Sequence, residues 1–344
     1  MKFRKHILSF ILCLLFLPQQ SGCIREEYFP DTPHGNFDEL WRIIDEQYCF
    51  LTWKGIDWNE VRDRYRPWVK PDMSDNDLFR LMGDMLSELR DGHVNLYSDD
   101  DIIRSWSWYE DYPANFSETL LSKYLQDECR LSGGICYTKL NSRIGYMYYE
   151  SFTSNLSQSD MDDILLYFSG CDGIIIDIRN NGGGTLTNSS LIASRFVRER
   201  LLTGYVCHKT GKGHNDFSTP VPIYVEPWNG IRWEKPVVVL TNRQAYSAAN
   251  DFANSMRYLP NVTLMGDRTG GGSGLPFTSE LPNGWGVRYS ASPHFDADLN
   301  HLEEGVAPNI AVELSREDEE KGFDTLIETA IAYLSKNISN NLPY

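Results

Sequence analysis

Residues 173–184 read Gly173-Ile-Ile-Ile-Asp177-Ile-Arg-Asn-Asn-Gly182-Gly-Gly184. The start of this stretch is a short, unbroken apolar run. Alternation would mark a strand with one wet face, whereas a continuous run marks a strand covered on both faces. The run breaks into polar residues and three glycines, and a helix is expected over Leu191–Arg198. The pattern returns at Pro236-Val-Val-Val-Leu240, followed by a helix from about Ser247 to Tyr258 and a short strand over Val262–Met265. Upstream, Ile144–Tyr149 reads as a strand, and Phe323–Leu334 as a closing amphipathic helix. Strands alternating with helices predict a layered α/β core with a mostly parallel sheet.

The segment before this core has a different period. Asn36 is a candidate helix N-cap with Glu39 three residues on, and Phe37, Leu40, Trp41, Ile44 and Tyr48 follow at helical spacing. A second helix is expected near Trp58–Val69. A third starts at Ser74 and carries the stripe Leu78, Leu81, Met82, Met85, Leu86 and Leu89. The expected organisation is a tether over 23–35, a helical domain over 36–93, a short insertion or linker region over 94–142 and the α/β core over 143–337. Residues 94–142, with Trp106, Trp108, Tyr109 and Tyr112 among acids, carry no clear period.

The chain has 344 residues, 41% of them hydrophobic and 13% aromatic, enough for a large packed core. Its net charge of −16 argues against general nucleic-acid binding, which needs clustered cations. Lys2, Arg4 and Lys5 precede an apolar stretch from Ile7 to Leu17, which is signal-peptide chemistry and too short to span a bilayer. Ser21-Gly22-Cys23 then resembles the lipobox of bacterial lipoproteins. That resemblance implies loss of residues 1–22, acylation of Cys23 and anchoring by more than one acyl chain. Ile24 rather than Asp after Cys23 implies transfer to the outer membrane. Beyond Cys13 and Cys23, the thiols Cys49, Cys129, Cys136, Cys171 and Cys207 remain. Cys129 and Cys136 could form a local bridge, and no Cys-x-x-Cys pair suggests zinc.

Five segments could carry chemistry. The glycines at 182–184 free backbone N–H groups at a strand end, suited to an anion or a developing oxyanion and equally to a plain tight turn. Ser247 stands just beyond a buried strand at a helix start, where it could be a nucleophile or merely a cap. His93 follows Arg90-Asp91-Gly92 at the end of the third helix and could project into a cleft or sit as a satisfied histidine. Gly266–Gly274 is a second glycine-rich loop. The acids between Asp296 and Glu304 could be solvated surface, a cation site or an orienter for a histidine.

Taken in order, Asp91-Gly-His93, Ile176-Asp-Ile-Arg-Asn-Asn-Gly-Gly-Gly184, Thr241-Asn-x4-Ser247-Ala-Ala-Asn250, Gly266-Asp-Arg-Thr-Gly-Gly-Gly272 and Glu303-x-Gly-Val-x-Pro-Asn309 resemble the C-terminal processing peptidase superfamily, closest to its tricorn core protease branch. The resemblance spans roughly residues 36–335. It implies a crotonase-like core behind a helical N-terminal domain, and a serine peptidase acting on peptides or unfolded proteins without a cofactor. One branch of the superfamily uses a Ser–Lys dyad with the Lys in the second glycine loop. This sequence has Gly272 there, and the only lysines after Ser247 are Lys321 and Lys336. The tricorn branch implies His93 as base, Ser247 as nucleophile and a late Glu, best matched by Glu303 with Glu304 adjacent. It also implies an oxyanion hole from the N–H groups of Ala248 and Gly183, with Gly182 one residue away. Tricorn proteases carry a Ser directly before the His, where this chain has Gly92. Superfamily members often insert a PDZ domain after the His segment, and residues 94–142 are too few for a full one. Retinoid-binding proteins of the retina share the superfamily, so a non-catalytic peptide- or lipid-binding lipoprotein is the alternative. A carbohydrate-binding lipoprotein, leaning on Trp106 to Tyr112, gains nothing from the glycine segments.

Overall fold

A computed structural model describes residues 28–104, 107–125 and 129–340. The signal segment, Cys23 and Trp106 lie outside the described residues. The first helices are α1 (Pro33–Gln47), α2 (Leu51–Lys54), α3 (Trp58–Tyr65) and α4 (Asp75–Ser87). The N-terminus of α1 differs from the expected one. Thr32 caps it, accepting from the Gly35 N–H at 3.1 Å, and Pro33 sits in the first turn, where its fixed φ favours a start. Asn36 is instead buried inside the helix. Its amide donates to Asp31 and accepts from the Asn283 N–H, tying α1 to a distant turn.

Thirteen strands are described. In chain order they are β1 (Asn95–Tyr97), β2 (Ile102–Arg104), β3 (Arg130–Ser132), β4 (Ile135–Lys139), β5 (Ile144–Tyr149), β6 (Gly173–Asp177) and β7 (Leu201–Val206). They continue as β8 (Val221–Val225), β9 (Val237–Thr241), β10 (Val262–Gly266), β11 (Gly274–Glu280), β12 (Gly286–Asp296) and β13 (Ile310–Ala311). The remaining helices are α5 (Glu118–Leu125), α6 (Gln158–Tyr167), α7 (Leu186–Ala193), α8 (Ala248–Met256), α9 (Arg316–Lys321) and α10 (Thr325–Asn340).

The central sheet runs β13-β10-β9-β6-β5-β4-β3, parallel from β13 to β5 and antiparallel at β4 and β3. Its apolar runs are covered on both faces, as their lack of alternation requires. Ile174 and Ile176 of β6 and Val237 and Val239 of β9 face α6, α7 and α8. Ile175, Val238 and Leu240 face α10. Helix α7 begins directly after the glycines, at Leu186 rather than at the expected Leu191.

A second, antiparallel sheet runs β2-β1-β12-β7-β8, with β11 also on β12. Helices α1 and α4 pack on it, so Phe37, Leu40, Met82 and Met85 share one core with Leu96, Val287 and Tyr289. The described residues of 94–142 form no PDZ domain. They supply β1 and β2 to this sheet, α5, and the β3–β4 hairpin to the edge of the central one. Cys129 and Cys136 are disulfide-bonded across that hairpin, while Cys49, Cys171 and Cys207 are free and buried.

Candidate active site

Helix α8, entered from β9, packs against β9 and β10 of the central sheet and β7 of the second. Ser247 stands at the first position before that helix with φ 56° and ψ −120°, a backbone conformation that costs a non-glycine residue about 1–3 kcal/mol. Its N–H donates to the Gly271 carbonyl, and its side chain makes no capping bond. The hydroxyl instead lies 3.1 Å from His93 Nε2. A serine chosen only to cap would adopt extended backbone and accept from the helix. The strain here aims the hydroxyl at an imidazole. Gly183, at φ 96°, packs so closely that a side chain there would strike the Ser247 Cβ.

His93 is set by the turn that ends α4. Asp91 Oδ1 accepts the His93 backbone N–H at 2.8 Å, and Asp91 Oδ2 accepts the hydroxyls of Tyr48 at 3.0 Å and Ser290 at 2.8 Å. The imidazole leans on Tyr246, which stacks on Trp108 at 3.7 Å between centroids. A side chain at Gly92 would run into the Trp108 ring. That is why the serine that precedes the histidine in tricorn proteases is sterically excluded here. Trp108, read from sequence as one of an aperiodic aromatic group, braces the loop that carries Ser247.

Burial dominates the electrostatics. His93 is 4% exposed, and desolvation lowers its imidazole to about 4, with Asp91 opposing and Arg288 and Lys54 assisting. Burial also works to raise the Asp91 carboxyl, yet Lys54, His93 and Ser290 hold it below the usual carboxylate range. Glu303 goes the other way: burial, then the Asp91 charge, raises it to about 8. Of these two neighbouring carboxyls, Asp91 keeps the negative charge at pH 7.

The residues expected at the site are largely brought together. Ser247 and His93 are in hydrogen-bond contact. Glu303 is buried within reach of the Asp91 charge, but Oε2 accepts from the Ser273 N–H at 2.8 Å and Oε1 from Lys54 Nζ at 3.4 Å. His93 Nδ1 has no hydrogen-bond partner, so the imidazole–carboxylate contact is not formed in this conformation. Glu304 is exposed. The oxyanion pair divides. No described acceptor takes the Ala248 N–H, whereas the Gly183 N–H is committed to Asn181 Oδ1 at 2.9 Å. In this conformation the Asn181 side chain reaches two residues forward to occupy the Gly183 N–H. The Asp296 carboxylate is already taken, by Arg257 at the end of α8 at 2.9 Å and by Asn300 within its own turn.

Two further groups take part, and Lys54 has no sequence signal. Lys54 reaches in from α2, bonded to the Leu89 and Arg90 carbonyls as well as to Glu303. Asp91 lies in the Asp91-Gly92-His93 segment, and its place under His93 follows from partners brought in by Tyr48 and Ser290. The whole opens into a cleft of about 310 Å³ lined by His93, Ser247, Asp251, Leu275, Arg288 and His294, among others.

The family model described as Peptidase family S41 matches residues 143–312, and that of the Tricorn protease C1 domain matches residues 29–87. The crystal structure of a candidate peptidase from Parabacteroides merdae is 52% identical, covers 88% of this chain and 96% of its own, and superposes with a TM-score of 0.84. The chain belongs to peptidase family S41. Among curated relatives, the chloroplastic C-terminal processing peptidase of Tetradesmus obliquus is 27% identical over 50% of this S41 chain and 35% of its own length. A tricorn-like protease C-terminal subunit from Sulfurisphaera tokodaii is 31% identical over 48% of this chain and 18% of its own. The chain thus matches well under half the length of either curated relative. The crotonase-like fold expected of the family, with its helical N-terminal region, is the fold observed.

Proposed function

We propose that this chain is a serine endopeptidase of the bacterial cell envelope, anchored through an acylated Cys23, that cleaves peptides or unfolded proteins by way of an acyl-enzyme. The observation that carries the reading is the strained Ser247, whose hydroxyl faces His93 Nε2 at 3.1 Å instead of capping its helix. Serine is a poor nucleophile at neutral pH and needs a base at its Oγ. His93 Nε2 takes the Oγ proton as Ser247 attacks the scissile carbonyl. The Ala248 N–H, and the Gly183 N–H once released from Asn181, hold the oxyanion. His93 then gives its proton to the leaving amine, and water repeats the cycle on the ester. Glu303 is the carboxyl assigned to orient the imidazole through Nδ1, which needs it to let go of Ser273 or Lys54.

A fluorophosphonate probe tests the reading. It should label the wild-type chain and leave Ser247→Ala unlabelled, and an intact mass from membranes should match a chain that begins at acylated Cys23. A wild-type chain that resists the probe would favour a non-catalytic binder, and an unmodified Cys23 would remove the anchor.

The pH dependence follows from the same burial. The base must be neutral, and an imidazole lowered to about 4 is neutral above that value. Activity should therefore fall as pH drops through about 4, well below the midpoint near 6.5 of an ordinary histidine. Glu303, raised to about 8, is mostly protonated at pH 7, so Glu303→Gln swaps one neutral group for another. Its loss should be milder than that of Ser247→Ala, and Glu304→Gln should be near neutral. Profiles of kcat/KM for the wild type and the three variants check this. An acid limb at 6.5 contradicts the burial argument, and loss at Glu304 alone moves the carboxyl role by one residue.

A further inference from the structure

Asp251 is a carboxylate that the reaction above does not use. It lies one turn beyond Ser247 on α8, its N–H bonded to the Ser247 carbonyl at 3.0 Å, and it lines the same cleft. Residues four apart on a helix stand about 6 Å apart on one face, with side chains leaning back toward the N-terminus. Asp251 therefore sits about one long side chain from the nucleophile. Its one described partner is Ser189 of α7, whose hydroxyl donates to Oδ2 at 2.8 Å, leaving Oδ1 without a donor among the described residues.

No cation among the described residues balances it. Asp251 makes no ion pair among the described residues, and its carboxyl is pushed up to about 6 by burial, with only the Ser189 hydrogen bond opposing. Arg288, the guanidinium on the same cleft, acts on His93 and not on Asp251. An isolated, half-buried carboxylate is costly to maintain unless a partner arrives to neutralise it. Thr185 and Leu186 at the start of α7 line the same cleft, and Leu186 gives it an apolar wall beside Asp251.

We propose that Asp251, supported by Ser189, forms a specificity subsite for a Lys or Arg side chain flanking the scissile bond. The inference rests on the peptidase reading of this site and adds its substrate class. A lysine or arginine stem spans about the distance from Ser247 to Asp251. Its charged head would give Oδ1 the donor it lacks, as a charge-assisted hydrogen bond in a partly dry site.

The test is a digest of a proteome-derived peptide mixture, with cleavage positions read by mass spectrometry. It is followed by kcat/KM on matched peptides carrying Arg or its uncharged isostere citrulline beside the cleaved bond. Wild-type protein should favour Arg by about ten- to a hundredfold, the worth of one hydrogen bond to a charged group. Asp251→Asn should erase that ratio, and Asp251→Lys should turn the preference toward Asp or Glu. Each variant is first checked for Ser247 labelling by fluorophosphonate, which reports a folded site. Wild-type cleavage indifferent to Arg against citrulline overturns the subsite whether or not the variants fold. So does an Arg preference that persists in a labelled Asp251→Asn protein. Absence of both cleavage and labelling in the wild type overturns the peptidase reading and the subsite together.

Discussion

Ser247→Ala should lower kcat for peptide hydrolysis by about 10⁶ while leaving the melting temperature almost unchanged. The two halves of this expectation come from one geometric fact. The Ser247 hydroxyl makes no bond to its helix, so removing it deletes no cap and forgoes the loss of about 1 kcal/mol that an N-cap substitution brings. It does delete the atom that His93 Nε2 faces at 3.1 Å. His93→Ala should be about as severe, and the double variant no worse than either, because nucleophile and base act in a single step. What survives is the contribution of binding and oxyanion contacts, about 10³–10⁴ over water. The measurement is single-turnover kinetics on an unfolded substrate beside thermal melts of the same samples. Turnover that persists in Ser247→Ala removes it as nucleophile, and a clear drop in melting temperature with activity intact returns it to the role of a cap.

The parts of this site that were legible in sequence are those written locally. The apolar runs of β6, β9 and β10 carry their burial in consecutive residues, and the glycine turns and Ser247 follow them at fixed places. The second sheet was not legible. Strand β12 holds Ser290, Ser292 and Pro293, which carry no strand signal, yet both serines are buried, Ser290 donating to Asp91 and Ser292 in hydrogen-bond contact with His208. That pairing is supplied by residues far away in the chain, and no window of sequence contains it. Lys54 is hidden for the same reason, since it meets Glu303 across 249 positions. Helix α7 starts at Leu186, ahead of the expected Leu191, because glycines that look like a long turn lead directly into a helix. The commitment of the Gly183 N–H to Asn181 is a local contact, but it depends on a side-chain rotamer that the sequence does not specify.

Arg179→Met should destabilise the fold by about 3–5 kcal/mol, the cost of leaving buried carboxylates without their cation. Arg179 closes the same segment that decides the fold. Its Nε and Nη2 bond to Asp177 at the end of β6, and its Nη1 bonds to Asp324 and to the Asn115 carbonyl. Asp177 also accepts the Tyr146 hydroxyl, and Asp324 accepts the first N–H groups of α10. All three charged side chains are sealed from solvent. Burial works against the guanidinium charge, but the two aspartates hold it protonated more firmly than usual. Removing it strands two carboxylates between the central sheet and α10, and the melting temperature should fall on the order of 10 °C. Arg316→Ala, which breaks an exposed pair with Glu320, should move it little. Activity should suffer with stability in the Arg179 variant, because Asn180 at φ 60° and the Asn181 side chain lead straight from this network to the Gly183 turn against Ser247. A melting temperature within about 2 °C of wild type would show that the two aspartates can be neutralised where they stand, and would move the anchor of the glycine turn from Arg179 to the Asn180–Asn242 side-chain contact.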